Sequence, residues 1–213
     1  MSKLKIMKSL ELIAKELDLK ISRREDLLKE SRASIALSSR AIVNVHTGKK
    51  TEAVKELVEN NELLIELRKI AKEDLKRYLI SPETEYAEAM IIKAISENRD
   101  IPSQEALKVS YEGYILGLLD AVGEIKRMVY DSLRKGNVKR ASDLFELMEE
   151  IYTRLSPYAI YDHIIQGIRR KLDVSRILVE NTRSAVTEEV RRSEFLKGMT
   201  TIASKQSRKD RID

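Results

Sequence analysis

All three prolines of this 213-residue chain stand beside a serine, in Ser81-Pro82, Pro102-Ser103 and Ser156-Pro157, and the stretches between them repeat apolar residues at helical spacing. Proline ends or restarts helices because it lacks a backbone donor, so confining it to three points leaves the rest free to run as uninterrupted helix. Two of the seven glycines supply the remaining stops, in His46-Thr47-Gly48 and Gly136-Asn137. No alternating strand pattern competes, and the fold class that follows is all-α.

These breakers divide the chain into six or seven helices, with the first, second and last long. The spacing predicts a first helix over about 4–45, bending or beginning near Asp18, and a second over about 52–79. A third opens at Ser81-Pro82, a cap followed by a proline in the first helical position, and runs to about Asn98. A short turn after Ser103 leads to a helix over 111–135, then one over 138–155 and a last one over 159–192. Even the part of the first helix after Asp18 spans roughly 40 Å at about 1.5 Å per residue, a length that calls for neighbours from another chain. Residues 1–193 read as one helical domain. Residues 194–213 lose apolar periodicity and read as a basic, flexible tail carrying Lys205, Arg208, Lys209 and Arg211.

The absence of cysteine removes disulfides and zinc–thiolate sites, and no apolar run reaches the length of a membrane span. With a charged start and no signal-peptide pattern, the expected location is cytoplasmic. Forty basic against thirty-five acidic residues give a net charge of +5, which permits a polyanionic partner without requiring one. The basic residues gather in Arg23-Arg24, at Arg32 and Arg40, in Lys69, Lys72, Lys76 and Arg77, and in Arg169-Arg170-Lys171.

Four carboxylates occupy positions where such helices normally place carbon. Glu85 and Glu88 share a stripe with Ile92 and Ile95 at about 100° per residue, the inward face of their helix. Asp120 and Glu124 lie on a stripe with Gly113 and Gly117, opposite Tyr114, Ile115, Leu118, Val122, Ile125 and Val129, in a helix apolar nearly all round. An ionised carboxylate withdrawn from water costs several kcal/mol unless a positive group meets it. With only His46 and His163 in the chain, the economical counter-charge is a hard divalent cation. Glycines one turn apart beside the second pair let a neighbouring helix, or a ligand backbone, approach closely.

The stretches Arg24-Glu25-Asp26-Leu27-Leu28-Lys29-Glu30-Ser31-Arg32, Glu85-Tyr86-Ala87-Glu88-Ala89, Tyr114 through Arg127, and Arg169-Arg170-Lys171-Leu172-Asp173 resemble the translin family in order and spacing, over about residues 20–192. The central block is the most specific. The acids resemble the branch of translin-associated factor X, which carries the family's nuclease centre, and its motif falls on Glu85, Glu88, Asp120 and Glu124. The neighbours of the second pair differ: the family's usual Asp-Leu-Thr-Gly-Glu-Leu-Met-Arg is here Asp120-Ala121-Val122-Gly123-Glu124-Ile125-Lys126-Arg127. The chain also lacks the histidine-rich basic stretch of animal translin.

The resemblance implies a closed, hollow homo-oligomer, typically an octamer, that cleaves single-stranded RNA with Mg²⁺ or Mn²⁺ on its inner wall. Single-stranded DNA is a second expected ligand. On that reading Glu85, Glu88, Asp120 and Glu124 are both metal ligands and catalytic groups, while Arg32, Arg40, Lys69, Lys72, Lys76 and Arg127 meet phosphates. Tyr86 and Tyr114 read as core rather than as base-stacking platforms. The alternatives are a non-catalytic translin-type binder of single-stranded nucleic acid, a ferritin-like carboxylate oxidase, which needs Glu-x-x-His motifs absent here, and a purely structural scaffold.

Overall fold

A computed structural model describes the backbone of residues 2–209 and the side chains of 5–72 and 75–204. The helices are α1 (Ser2–His46), α2 (Lys50–Ile70), α3 (Ile80–Ser96), α4 (Gln104–Leu107), α5 (Tyr111–Arg134), α6 (Val138–Leu155) and α7 (Ile168–Lys209), with 3-10 segments at Glu73–Leu79 and Ser156–Tyr161. No strand occurs among the described residues. The chain divides into two compact units, residues 1–118 and 119–213, and the division falls inside α5.

In the first unit, α1 packs on α2 and α3. Leu27, Leu57, Leu64, Leu67, Leu75, Leu79, Tyr86 and Leu107 form its core. Inside it, Asn60, Ser34 and Ser38 are fully buried yet satisfied. The Ser34 hydroxyl donates to Asn60 Oδ1 at 2.6 Å, and Asn60 Nδ2 donates to Ser38 Oγ at 2.7 Å. Such a network fixes the register of α1 on α2, because sliding either helix would strand buried polar groups.

The apolar face of α1 is covered only in part. Residues 5–26 are exposed, including Ile6, Leu10, Ile13 and Leu17, whereas Leu27, Ser31, Ser34, Ser38 and Ala41 are buried. There is no late start: α1 runs as one helix from Ser2 to His46.

In the second unit α6 packs on α7. Val122, Ile125, Val129, Leu144, Met148, Ile168, Leu172, Val179 and Val186 are buried there. The turn between α5 and α6 follows from Gly136-Asn137. Gly136 takes φ +72°, a left-handed conformation open to glycine, and the Asn137 N–H returns to the Ser132 carbonyl at 2.9 Å. The Asn137 side chain then accepts from the Arg140 N–H and caps α6.

Four helix limits differ from the expected ones. α2 stops at Ile70 rather than near Leu79, because the chain leaves the helix at Ala71 and Lys72, both extended, and re-enters as a 3-10 segment. α3 begins at Ile80, which puts Pro82 in its third position, and Ser81 is not its cap. α7 begins at Ile168, not near 159. Gly167 takes φ +83°, and the Asp162 carboxylate receives the Arg169 N–H at 3.1 Å. It continues past Arg192 to Lys209. The side chains of Lys205, Arg208, Lys209 and Arg211 lie outside the described residues.

Candidate nucleic-acid interface and acid site

α3 is buried on nearly every side, with Ala87, Ala89, Ile91, Ile92 and Ile95 all inaccessible or nearly so. Glu88 is buried with them at 8% exposure and Glu85 is half-buried, one turn apart on the inward stripe. Tyr86 is core as expected, and its burial pushes the phenol above its usual range. Tyr114 donates its hydroxyl to the Pro102 carbonyl at 3.0 Å, so it is held as a packing residue.

The glycine notch of α5 receives α3. A Cβ at Gly117 would lie 2.8 Å from Ala87 Cβ, 2.8 Å from the Thr84 carbonyl oxygen and 3.1 Å from the Glu88 backbone nitrogen. At Gly113 it would lie 2.9 Å from Glu83 Cβ. Neither position can carry a side chain without moving backbone, so these glycines serve a neighbouring helix rather than a ligand.

Glu83 is the acid that sequence reading passed over. At 3% exposure it is more deeply buried than Glu88. Its Oε1 accepts from Arg68 Nε at 2.9 Å and its Oε2 from the Ser110 N–H at 2.8 Å. One carboxylate thus ties α2, α3 and the start of α5 together. Arg68 Nη2 is buried without a hydrogen-bond partner. Standing next to Pro82 in the first turn of a helix, Glu83 reads in the sequence as an ordinary acid favoured by the helix dipole.

Asp120 and Glu124 lie on α5 within the second unit, both half-buried. Lys171 Nζ, from α7, donates to Asp120 Oδ1 as an ion pair. Glu124 faces Arg127 at 3.8 Å. Within either unit, no group of three or more histidine, aspartate or glutamate side chains gathers as a metal-binding set among the described residues. The donor chemistry nevertheless suits a hard divalent ion: the four residues offer only carboxylate oxygens, and magnesium sites commonly use one or two carboxylates completed by water and phosphate. That Asp120 holds an ammonium marks it as a position where positive charge is stabilised.

Of the basic residues expected to meet phosphate, three are engaged with carboxylates. Arg40 pairs with Glu56 at 2.8 Å, Lys69 with Glu66 at 2.6 Å, and Arg127 with Glu124. Arg32, Lys72 and Lys76 are exposed. A cluster around Tyr78 emerges instead. Arg24 Nε donates to the Tyr78 hydroxyl oxygen at 2.8 Å and Arg77 Nη2 at 3.3 Å, and both guanidinium carbons stand near the ring, 5.5 and 5.1 Å from its centre. The two guanidinium donors hold the Tyr78 phenol below its usual range, Arg24 most strongly. Beside this cluster, Lys20, Arg23 and Lys72 line a groove between α1 and the Glu73–Leu79 segment. Arg24 and Tyr78 stand 54 residues apart, so only the adjacency of Arg77 and Tyr78 was visible in the sequence.

The Translin family model matches residues 81–186, the segment from α3 into α7. A protein of Methanocaldococcus jannaschii, itself uncharacterized, is 33% identical over 166 residues, 76% of this chain and 74% of that one. The chain belongs to the translin family. Among solved structures, AfC3PO in complex with duplex RNA is 32% identical with a TM-score of 0.76, covering 85% of this chain and 96% of that one. AfC3PO solved in a second crystal structure is 34% identical with a TM-score of 0.75, over the same shares. Apo-NeC3PO, 24% identical with a TM-score of 0.68 over 89% of this chain and 98% of that one, shares the fold. No described helix is long and apolar enough to cross a membrane.

Proposed function

We propose that this protein is an RNA-binding subunit of a closed translin-type homo-oligomer, an octamer by family resemblance, and that it cleaves single-stranded RNA with the help of Mg²⁺ or Mn²⁺. Its likeness to AfC3PO, which has been solved with duplex RNA, supports the binding part. The observation that carries the catalytic part is the burial of Glu88 on α3, at the turn that packs into the Gly117 notch of the helix bearing Asp120 and Glu124. A protein with no use for these charges would place carbon there.

Glu85, Glu88, Asp120 and Glu124 would hold the ion, which when bound supplies an activated water and neutralises charge on the scissile phosphodiester. The surrounding residues prepare for it. Arg68 and Ser110 fix Glu83 and thereby the start of α3. Arg127 is paired with Glu124. Arg24 and Arg77 offer guanidinium donors to phosphates, and both stand within cation–π distance of the Tyr78 ring. Recognition is therefore through the backbone of the nucleic acid and nearly independent of sequence, which extends it to single-stranded DNA.

The test is cleavage of a fluorescent single-stranded oligoribonucleotide with Mg²⁺, with Mn²⁺ and with chelator. Glu88→Gln and Asp120→Asn each reduce cleavage by about a hundredfold or more while RNA binding persists. Full activity in both variants, or in chelator, refutes the assignment. Binding weakens steeply with added salt, and an affinity indifferent to salt contradicts phosphate-dominated recognition. A second reading, a non-catalytic binder of single-stranded RNA or DNA, is favoured by one observation, the engagement of Asp120 by Lys171. It predicts binding without cleavage under every metal condition.

A further inference from the structure

We propose that Lys171 is the built-in competitor of the divalent cation at Asp120, a positioning residue that sets how readily the acid face of α5 loads metal. The proposal rests on the metal-dependent reading above and adds to it the group that regulates loading. Lys171 is the third residue of the basic run Arg169-Arg170-Lys171, which the fold does not otherwise explain. Arg169 and Arg170 are exposed, whereas Lys171 turns inward. Its side chain is 31% exposed and that of its partner Asp120 25%.

The placement is well determined by packing. As the fourth residue of α7, Lys171 precedes Leu172, which is buried, and Ser175, which is 1% exposed, so the first turns of the helix are anchored. Further along the same two helices, Gly123 of α5 meets the Leu178 side chain of α7: a Cβ at Gly123 would lie 3.9 Å from Leu178 Cδ1. The ammonium is thus brought to Asp120 from one helix to another and not by a loop.

An ammonium and a divalent ion ask the same thing of a carboxylate, and one oxygen lone pair cannot serve both at full strength. Lysine is suited to yield. Its charge sits on a flexible four-carbon stem with three rotatable donors, so it can leave Asp120 without moving α7. While paired, it spares a half-buried carboxylate the cost of standing uncompensated when no metal is present. An arginine fork would hold the carboxylate more rigidly, and an apolar residue would leave it bare.

The experiment is Mn²⁺ titration of the full-length protein by calorimetry, in the absence of RNA. Lys171→Met binds Mn²⁺ about tenfold more tightly than the wild type, because the competing charge is gone. Lys171→Arg, which keeps the charge, stays at or below wild-type affinity. Asp120→Asn binds weakly, and adding Lys171→Met to it brings no further gain. A nitrogen-15 spectrum of the lysine ammonium groups gives a second readout that does not depend on the variants folding: adding Mg²⁺ moves the Lys171 signal in the wild type. Equal Mn²⁺ affinity in the wild type and Lys171→Met, together with a Lys171 signal unmoved by Mg²⁺, overturns the competitor role and leaves the metal site standing. Absence of Mn²⁺ binding in both proteins overturns the metal-dependent reading itself, and this inference with it.

Discussion

Glycine decides two opposite things on α5. Gly117 has no room for a Cβ, since Ala87 Cβ and the Thr84 carbonyl oxygen would both stand 2.8 Å away, whereas Gly123 would meet only Leu178 at 3.9 Å. Gly117→Ala is therefore expected to destabilise the protein by about 1–3 kcal/mol through overpacking. Gly123→Ala is expected to be neutral, or to gain up to about 1 kcal/mol from helix propensity. Urea denaturation of both variants checks this, and equal stabilities would mean that α3 does not seat in the notch. The wheel identified the glycine stripe and the inward placement of Glu88, because both follow from position along one helix. It missed Glu83, whose burial depends on Arg68 from α2 and on the Ser110 N–H, neither of which periodicity reports.

Among the helices, the Glu83 ion pair is where the first unit is most sensitive to a single charge. Removing one member of a buried pair leaves the other uncompensated, at a cost of about 3–5 kcal/mol. Arg68→Met is thus expected to be far more disruptive than Arg40→Met, which breaks the exposed pair with Glu56 and costs about 0–1 kcal/mol. Thermal unfolding of the two variants provides the comparison, and similar losses would show that Glu83 finds another partner. Helix existence was readable from breakers and spacing, but some limits were not. α2 ends at Ile70 although no glycine or proline stands there, because Ala71 and Lys72 adopt extended conformations that no local residue type requires. The end of α7 was equally hidden, since helix continues beyond Glu194 through residues whose apolar members, Phe195, Leu196, Met199 and Ile202, are exposed.

At the scale of the whole molecule, the first part of α1 shows what a single chain leaves unfinished. Ile6, Leu10, Ile13 and Leu17 are spaced by four, three and four residues, in phase with the line that buries Leu27, Ser31, Ser34, Ser38 and Ala41 further on, yet each is at least half exposed. Covering each such side chain would contribute about 2 kcal/mol. The proposed oligomer gives this stripe a use. Replacing Leu10 and Leu17 together by glutamate is expected to shift the protein to smaller species in light scattering while its helical circular dichroism persists. An unchanged mass would assign assembly to other surfaces.

The sequence alone determined that this chain is a set of helices with particular stops, and that Glu88 lies on the inward face of its helix, because both are properties of repeat and position along the backbone. Only the tertiary structure decided what each charge meets. Lys171 reaches Asp120 across 51 residues, Arg24 reaches Tyr78 across 54, and Arg68 reaches Glu83 across 15, each between different helical segments. A helix's own pattern says which face turns inward, but the charge waiting there belongs to another helix.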